Sequence, residues 1–446
     1  MAACAAGPNY RAPTAVSLGV ADSFTGGQQG VADEDLATWW TLFQDPILTA
    51  LVAQALDDNL DIAQASARLA QSREGLDQAR SGFFPSLSTA GSGRQTDPSE
   101  TPDFETYANS ADARWVVDLF GGLRRNAEAS RASLAAAGFT LEDVRITVAA
   151  EVARNYVDLR ALRLRIAIAR QALSVQSDNL EIASFRADAG LVSALDVEQA
   201  RAQRATTASS IASLERAEAA VRFRIAVLAG RAPGSLDEML TRENGEGHVP
   251  ASRSTVVGAP ADLLRRRPDV RSAERGLAAA TARIGVAEAQ LYPSLALSGR
   301  IESSASSFDA LNDTLTQSVL ASLTQPIFEG GRLRSVVRQR RAAAEEALAF
   351  YRLTVLRALE DVENAQAGIE AARAREAARR SGRRVTGCSG HREGELPKWA
   401  HRLSATVGDR TLVAHCGGCA DRGAGRRGER PCPTLSGARG RLDAGG

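Results

Sequence analysis

Two stretches of this chain copy each other at a fixed distance, and the duplication limits the possible folds more than any other feature does. Asn59-Leu60-Asp61-Ile62-Ala63-Gln64-Ala65, followed by Phe83-Phe84-Pro85-Ser86-Leu87-Ser88, recurs as Arg267-Pro268-Asp269-Val270-Arg271-Ser272-Ala273, followed by Leu291-Tyr292-Pro293-Ser294-Leu295-Ala296. Asp61 to Asp269, Pro85 to Pro293 and Phe120 to Phe328 are each separated by 208 residues. Each half therefore reads as helix, two strands, long helix.

Period-two alternation marks the strands, because successive side chains of a strand point to opposite faces. Leu295, Leu297 and Ile301 share one face and Ser294, Ser298 and Arg300 the other. In the first half, Ala111, Ala113, Trp115, Val117 and Leu119 alternate with Ser110, Asp112, Arg114 and Asp118. Apolar outside and polar inside is what a lipid-facing barrel strand with a wet interior requires. The expected strands, 84–97, 106–120, 291–304 and 315–328, are too few to close a barrel, which needs at least about 8 because bilayer cannot satisfy an open edge. Several copies must contribute, and a trimer would supply about twelve strands.

The helices carry a coiled-coil pattern. Val148, Val152, Asn155, Leu159, Leu162, Ile166, Ala169, Leu173, Gln176 and Leu180 alternate at four and three residues, as do Leu348, Tyr351, Val355, Ala358, Val362, Ala365, Ile369 and Ala372. From Leu123 to about Ala187 the chain has no proline, so at 1.5 Å per residue the helix is on the order of 100 Å long. Such a rod does not belong to a compact domain. No apolar run reaches the roughly 18 residues of a spanning helix, which leaves a β-barrel open. The 54 basic and 53 acidic residues nearly cancel, so no global field points to nucleic acid. Isolated serines, His248 and scattered carboxylates lack nucleophile, base or metal spacing, and no enzyme or cofactor is expected.

The N-terminus, Met1-Ala2-Ala3-Cys4-Ala5-Ala6-Gly7-Pro8-Asn9-Tyr10, has small residues before a cysteine, as at a bacterial lipoprotein cleavage site. The expectation is that Met1 is an internal codon, that a signal peptide is encoded upstream, and that Cys4 is the lipid-attachment residue. A free thiol in a flexible tail is the plainer alternative.

Three motifs carry a family resemblance. Trp39-Trp40-Thr41-Leu42-Phe43-Gln44-Asp45-Pro46 opens the first helix; Pro260-Ala261-Asp262-Leu263-Leu264-Arg265-Arg266-Arg267-Pro268-Asp269-Val270 sits mid-chain; Ala189-Gly190-Leu191-Val192-Ser193-Ala194-Leu195-Asp196-Val197-Glu198-Gln199-Ala200 joins two long helices. With Gly7, Pro8, Tyr10 and Pro13, these make the chain resemble the TolC-like outer membrane efflux proteins, in the lipoprotein subgroup of OprM and NodT type, over roughly residues 1–380. The resemblance implies a mostly α fold with β: antiparallel coiled-coil helices forming a periplasmic tunnel, and four strands per chain in a homotrimeric twelve-stranded transmembrane barrel. It implies passive exit of small molecules, an inner-membrane pump as driving partner, contact with outer-membrane lipid, and a periplasmic adaptor docked on a tip formed by Gly190, Leu191, Ser193, Asp196, Val197 and Gln199. In physical terms Gly190 suits the left-handed end of one helix, and Ser193 with Asp196 can cap the next. An ordinary helix hairpin, or a soluble periplasmic coiled-coil scaffold, would show the same local pattern.

These readings divide the chain into an N-terminal lipoprotein segment (1–38), a first repeat (39–229) with its tip near 190, an equatorial linker (230–259), a second repeat (260–380), and an aberrant tail (381–446). The tail holds 14 glycines, lacks a second tip motif where Gly394 to His401 stand, and carries four of the five cysteines. A shifted reading frame beginning near 380 is expected: permitted codons for Pro431 to Asp443, read one base later, can spell an ending similar to the family's. A zinc site from His415, Cys416, Cys419 and Cys432 is the rival reading. Without a second outer helix the seam on residues 348–372 should lie bare, the tail should be disordered, and the chain should assemble poorly, as a damaged copy of a channel.

Overall fold

The computed structural model describes residues 5–14, 16–20, 36–97, 104–241, 266–311 and 313–389. Cys4, residues 242–265 of the linker and the mid-chain motif, and the tail from 390, with its four candidate zinc ligands, lie outside them.

The first motif builds the entry to the fold. Trp39, Trp40 and Phe43 form a 3-10 turn whose rings meet edge to face, at 5.9 Å and 6.2 Å between centroids. Asp45 then starts α1 (Pro46–Asp58): its Oδ1 accepts from the N–H groups of Ile47 and Leu48, and Pro46 takes the first position, where no N–H is needed. The other carboxylate oxygen accepts the Tyr156 hydroxyl at 2.9 Å, tying this entry to the middle of the long helix. Burial, then that bond, push the Tyr156 hydroxyl well above the ordinary tyrosine range.

Asn59 repeats the device. Its Oδ1 caps α2 (Leu60–Ser81) while its buried Nδ2 donates to the Leu228 carbonyl at 2.8 Å. The chain continues through β1 (Ser86–Thr96), β2 (Phe104–Val117), α3 (Gly122–Asp188), α4 (Ala194–Leu228) and a one-turn α5 (Asp237–Thr241). After the break come α6 (Pro268–Ala289), β3 (Ser294–Ala305), β4 (Thr316–Thr324) and α7 (Arg332–Ser389). The strands form one antiparallel sheet in the order β1-β2-β3-β4, so the central pairing joins the two repeats.

At the ends nearest the helices the strands stop inside the expected bounds, where a side chain or proline intervenes, whereas β2 begins two residues earlier than expected and β3 ends one later. Pro85 cannot donate to the ladder, and Asp118 turns away to accept from the N–H groups of Leu123 and Arg124. Gly121, at φ +80°, makes the corner into α3, a left-handed conformation that favours glycine.

Two cores result. In the first, Leu48, Leu51, Val52 and Ala55 of α1 meet Val148, Val152, Tyr156 and Leu159 of α3 and Ile225 and Leu228 of α4. The second packs Val270, Ala273 and Leu277 of α6 on Tyr351, Val355 and Ala358 of α7, under Leu18 and Val20. The expected seams are thus present, but α3 also buries Ala149 and Ala153, a second stripe that its alanines concealed.

Three expectations need correction. The stretch from 230 is no bare linker: Leu236 and Leu240 are buried in the first core, and the Leu240 carbonyl accepts from Arg163 Nη1 at 2.5 Å. The last helix does not end at 380 but runs to Ser389, because residues 381–389 contain no proline and each added residue extends the ladder by one bond. The seam on α7 is covered by α6 and the N-terminal segment at Tyr351, Val355 and Ala358; only its later positions, among them Ala365 and Ala372, are exposed.

Candidate functional site

The register of the sheet sorts side chains into two faces. Trp115 lies opposite Leu297, Val117 opposite Leu295, Ala111 opposite Ile301 and Leu295 opposite Leu323, so one face is apolar across β2, β3 and β4, and β1 adds Leu87 opposite Ala113. On the other face Asp112 lies opposite Arg300, and Ser88 and Ser318 flank them on the outer strands. Arg300 Nε donates to Asp112 Oδ1 at 2.6 Å and a second guanidinium nitrogen reaches Glu302 at 3.3 Å, while Ser110 Oγ donates to Asp112 Oδ2 at 3.0 Å. The charges expected on one face are there, cross-linking β2 of one repeat to β3 of the other.

Aromatic rings bound the apolar face at both ends. Toward the helices Phe120 stacks on Tyr292 with centroids 4.8 Å apart, and Trp115 Nε1 donates to the Phe83 carbonyl at 2.9 Å. Toward the loops Tyr107 meets Phe308 edge to face at 5.8 Å. Aromatic girdles around an apolar band are the physical mark of a barrel wall in a bilayer, where amphipathic rings sit at the interface. The apolar positions of β4 are open to the surroundings, Val319 to 91%. No helix among the described residues is long and apolar enough to cross a membrane.

Below the sheet α3 leads to the tip. Gly190 has φ +68°; its N–H donates to the Ala187 carbonyl at 2.9 Å, and the Leu191 N–H donates to the Arg186 carbonyl at 2.8 Å, the two bonds of a Schellman ending. Ser193 opens α4 with a capping box: its N–H and Oγ donate to Asp196 Oδ2 at 3.0 and 2.8 Å, and its Oγ accepts from the Asp196 N–H at 3.4 Å. Gly190, Leu191 and Ser193 therefore lie in the connecting turn, and Asp196, Val197 and Gln199 in the first two turns of α4. Leu191 is 74% exposed, Gln199 is exposed and Val197 is half-buried. Phe185 and Leu195 add exposed apolar surface beside them. Neither was among the tip residues that the resemblance implies; the available signal was a large apolar residue off the heptad seam beside the turn.

The N-terminal segment was expected to be a tether and is more than that. The Ala6 N–H donates to the Phe120 carbonyl at 2.9 Å, and the Tyr10 hydroxyl donates to Glu274 at 2.7 Å. Residues 5–10 are thereby fastened to the collar where sheet and helices meet, touching both repeats.

The profile of the outer membrane efflux protein family matches residues 51–231 and 259–384. Nodulation protein T of Rhizobium leguminosarum bv. trifolii is 33% identical over 414 residues, spanning 91% of this chain and 85% of that protein. Outer membrane protein OprJ of Pseudomonas aeruginosa is 30% identical over 402 residues, spanning 85% of this chain and 81% of that one. Among solved structures the outer-membrane channel OprN superimposes with a TM-score of 0.74 at 34% identity, over 84% of this chain and 85% of the other. Sheet, collar, helical rod and sequence agree: this chain belongs to the outer membrane efflux protein family.

Proposed function

We propose that three copies of this chain close a twelve-stranded barrel in the outer membrane and continue it as a helical tunnel, forming a passive exit duct for small molecules. One observation carries the reading: an open four-stranded sheet with an apolar face, a charged face and girdled ends runs directly into a helix of 67 residues. Four strands leave two unsatisfied edges that bilayer cannot tolerate, so copies must pair edge to edge. The polar face then lines water.

Movement through such a duct needs a driving partner elsewhere. An inner-membrane pump supplies it, and a periplasmic adaptor docks its helices on the tip at Gly190, Leu191, Ser193, Asp196, Val197 and Gln199. The exposed Leu191 supports that role, because a large apolar side chain on a tight turn has no use in solvent. A lipid on Cys4 would fix the N-terminus to the same membrane; the fastening of Ala6 at the collar, near the aromatic girdle, supports an anchor at that level.

The test is efflux in cells deleted for their own channel. This chain with its adaptor and pump should restore export, and Leu191→Glu should lose it while the protein still fractionates with the outer membrane. Export unchanged by Leu191→Glu would overturn the tip assignment. Recovery of the wild-type chain without detergent, from the soluble fraction, would overturn the channel in favour of a soluble scaffold.

A further inference from the structure

We infer that Arg114 forms an anion-attracting ring just above the collar, so that the duct favours small solutes carrying a carboxylate or another anionic group. This rests on the three-copy channel proposed above. Arg114 stands on β2 opposite Ser86 and Ser298, and Ser298 in turn faces Leu320, so no carboxylate shares its level. One step toward the loops Arg300 engages both Asp112 and Glu302, the two carboxylates of that face. Arg114 itself is exposed and enters no ion pair among the described residues.

A neighbouring copy brings no compensation. The strands that would meet at each seam are β1 and β4, and on the polar face they carry serine, alanine, threonine and leucine, with Arg94 as the one charge. Closing the barrel therefore leaves three guanidinium groups at one height with no carboxylate at that height, and Arg94 on the same face balances the one negative charge by which Asp112 and Glu302 exceed Arg300. With strands spaced about 4.8 Å apart, a twelve-stranded barrel has a radius on the order of 12 Å, so the side chains reach well into the water column. Guanidinium stays protonated at any working pH and presents a planar fork matched to carboxylates. Low-dielectric walls focus such a field and raise the local concentration of the opposite charge.

The experiment is single-channel recording of the full-length protein in planar bilayers across a potassium chloride gradient. Replacing Arg114 by Gln should lower the anion-to-cation permeability ratio about two- to threefold at about 0.1 M salt, where the screening length approaches the pore radius. Arg114→Lys should keep the ratio. In the unsubstituted protein the preference should fade near about 1 M salt, where screening reaches only about 3 Å. An Arg114→Gln channel with the original ratio would overturn the inference. So would a ratio in the unsubstituted protein that does not move with salt, which decides the matter even if the variant fails to fold. If no variant shows unitary steps, the channel itself falls and the ring with it, an outcome recognisable by the absence of conductance in every preparation.

Discussion

Arg125 sits at the first turn of α3 with its side chain almost wholly buried, and its guanidinium makes four contacts. Nε donates to the Ala6 carbonyl at 3.1 Å, one terminal nitrogen to the Gly7 carbonyl and Asn9 Oδ1 at 3.3 and 2.6 Å, and the other to Glu128 at 2.7 Å. Gly7 and Gly285 press together so closely that a Cβ on Gly7 would stand 2.4 Å from the Gly285 backbone. Removing the guanidinium takes four bonds from a buried side chain, but its partners Ala6 and Gly7 are half-buried and Asn9 is exposed, so Arg125→Ala should cost about 1 to 3 kcal/mol. Thermal unfolding measures the cost, and limited proteolysis should cut between residues 5 and 20 only in the variant. Arg125→Lys should recover little, because a point charge cannot serve a fork of acceptors. None of this was legible. The Gly-Pro-Asn-Tyr run stood out as a motif, but its partners lie more than a hundred residues away, and local pattern carries no trace of such a pairing. The Ser193 cap was easier to read, because cap and helix are adjacent in sequence.

At the scale of elements, the opening of α6 is held to α7 by one arginine. Arg267 binds Asp269 through two bonds, of 3.1 and 2.7 Å, and reaches Asp361 of α7 at 3.0 Å. Burial alone would raise the Asp269 carboxyl, but the Arg267 bonds outweigh it and hold the group below its ordinary range. A depressed folded value means that this stabilisation is complete above the unfolded value and is lost as pH falls below it through the folded value. Stability should therefore fall as pH drops below about 4, and Asp269→Asn should flatten that part of the curve while costing about 1 kcal/mol at neutral pH. Chemical denaturation at a series of pH values reads both. At the tip, Ser193→Ala should remove about 1 kcal/mol of cap energy, measurable as faster amide exchange over the first turn of α4. The long helices were legible from heptad spacing and missing prolines. The α5 turn was not, because Gly and Pro on both sides of Leu236 and Leu240 gave a loop composition to a segment that folds back onto the core.

For the whole molecule, the duplication was the informative signal, and the sheet shows why. Alternation identified both faces, but only the pairing of β2 with β3 brings Asp112 to Arg300 and fuses two half-sheets into one wall. The two faces should respond oppositely to charge. Val319→Lys, on the apolar face, should cost about 2 to 4 kcal/mol if it reaches the bilayer midplane, whereas Ser318→Lys on the polar face should cost little. Heat resistance of the assembled barrel on gels distinguishes them. The tail was expected to leave α7 bare and the assembly damaged. Tyr351, Val355 and Ala358 are covered, so both repeats keep a packed core, while the later seam positions Ala365 and Ala372 lie exposed. The central claim is that copies of this chain complete each other's barrel, and the mass of the detergent-extracted particle, corrected for bound detergent, tests it most directly. Three times the 47.1 kDa chain is the expected protein mass; a single-chain particle that stays monodisperse without detergent would contradict it.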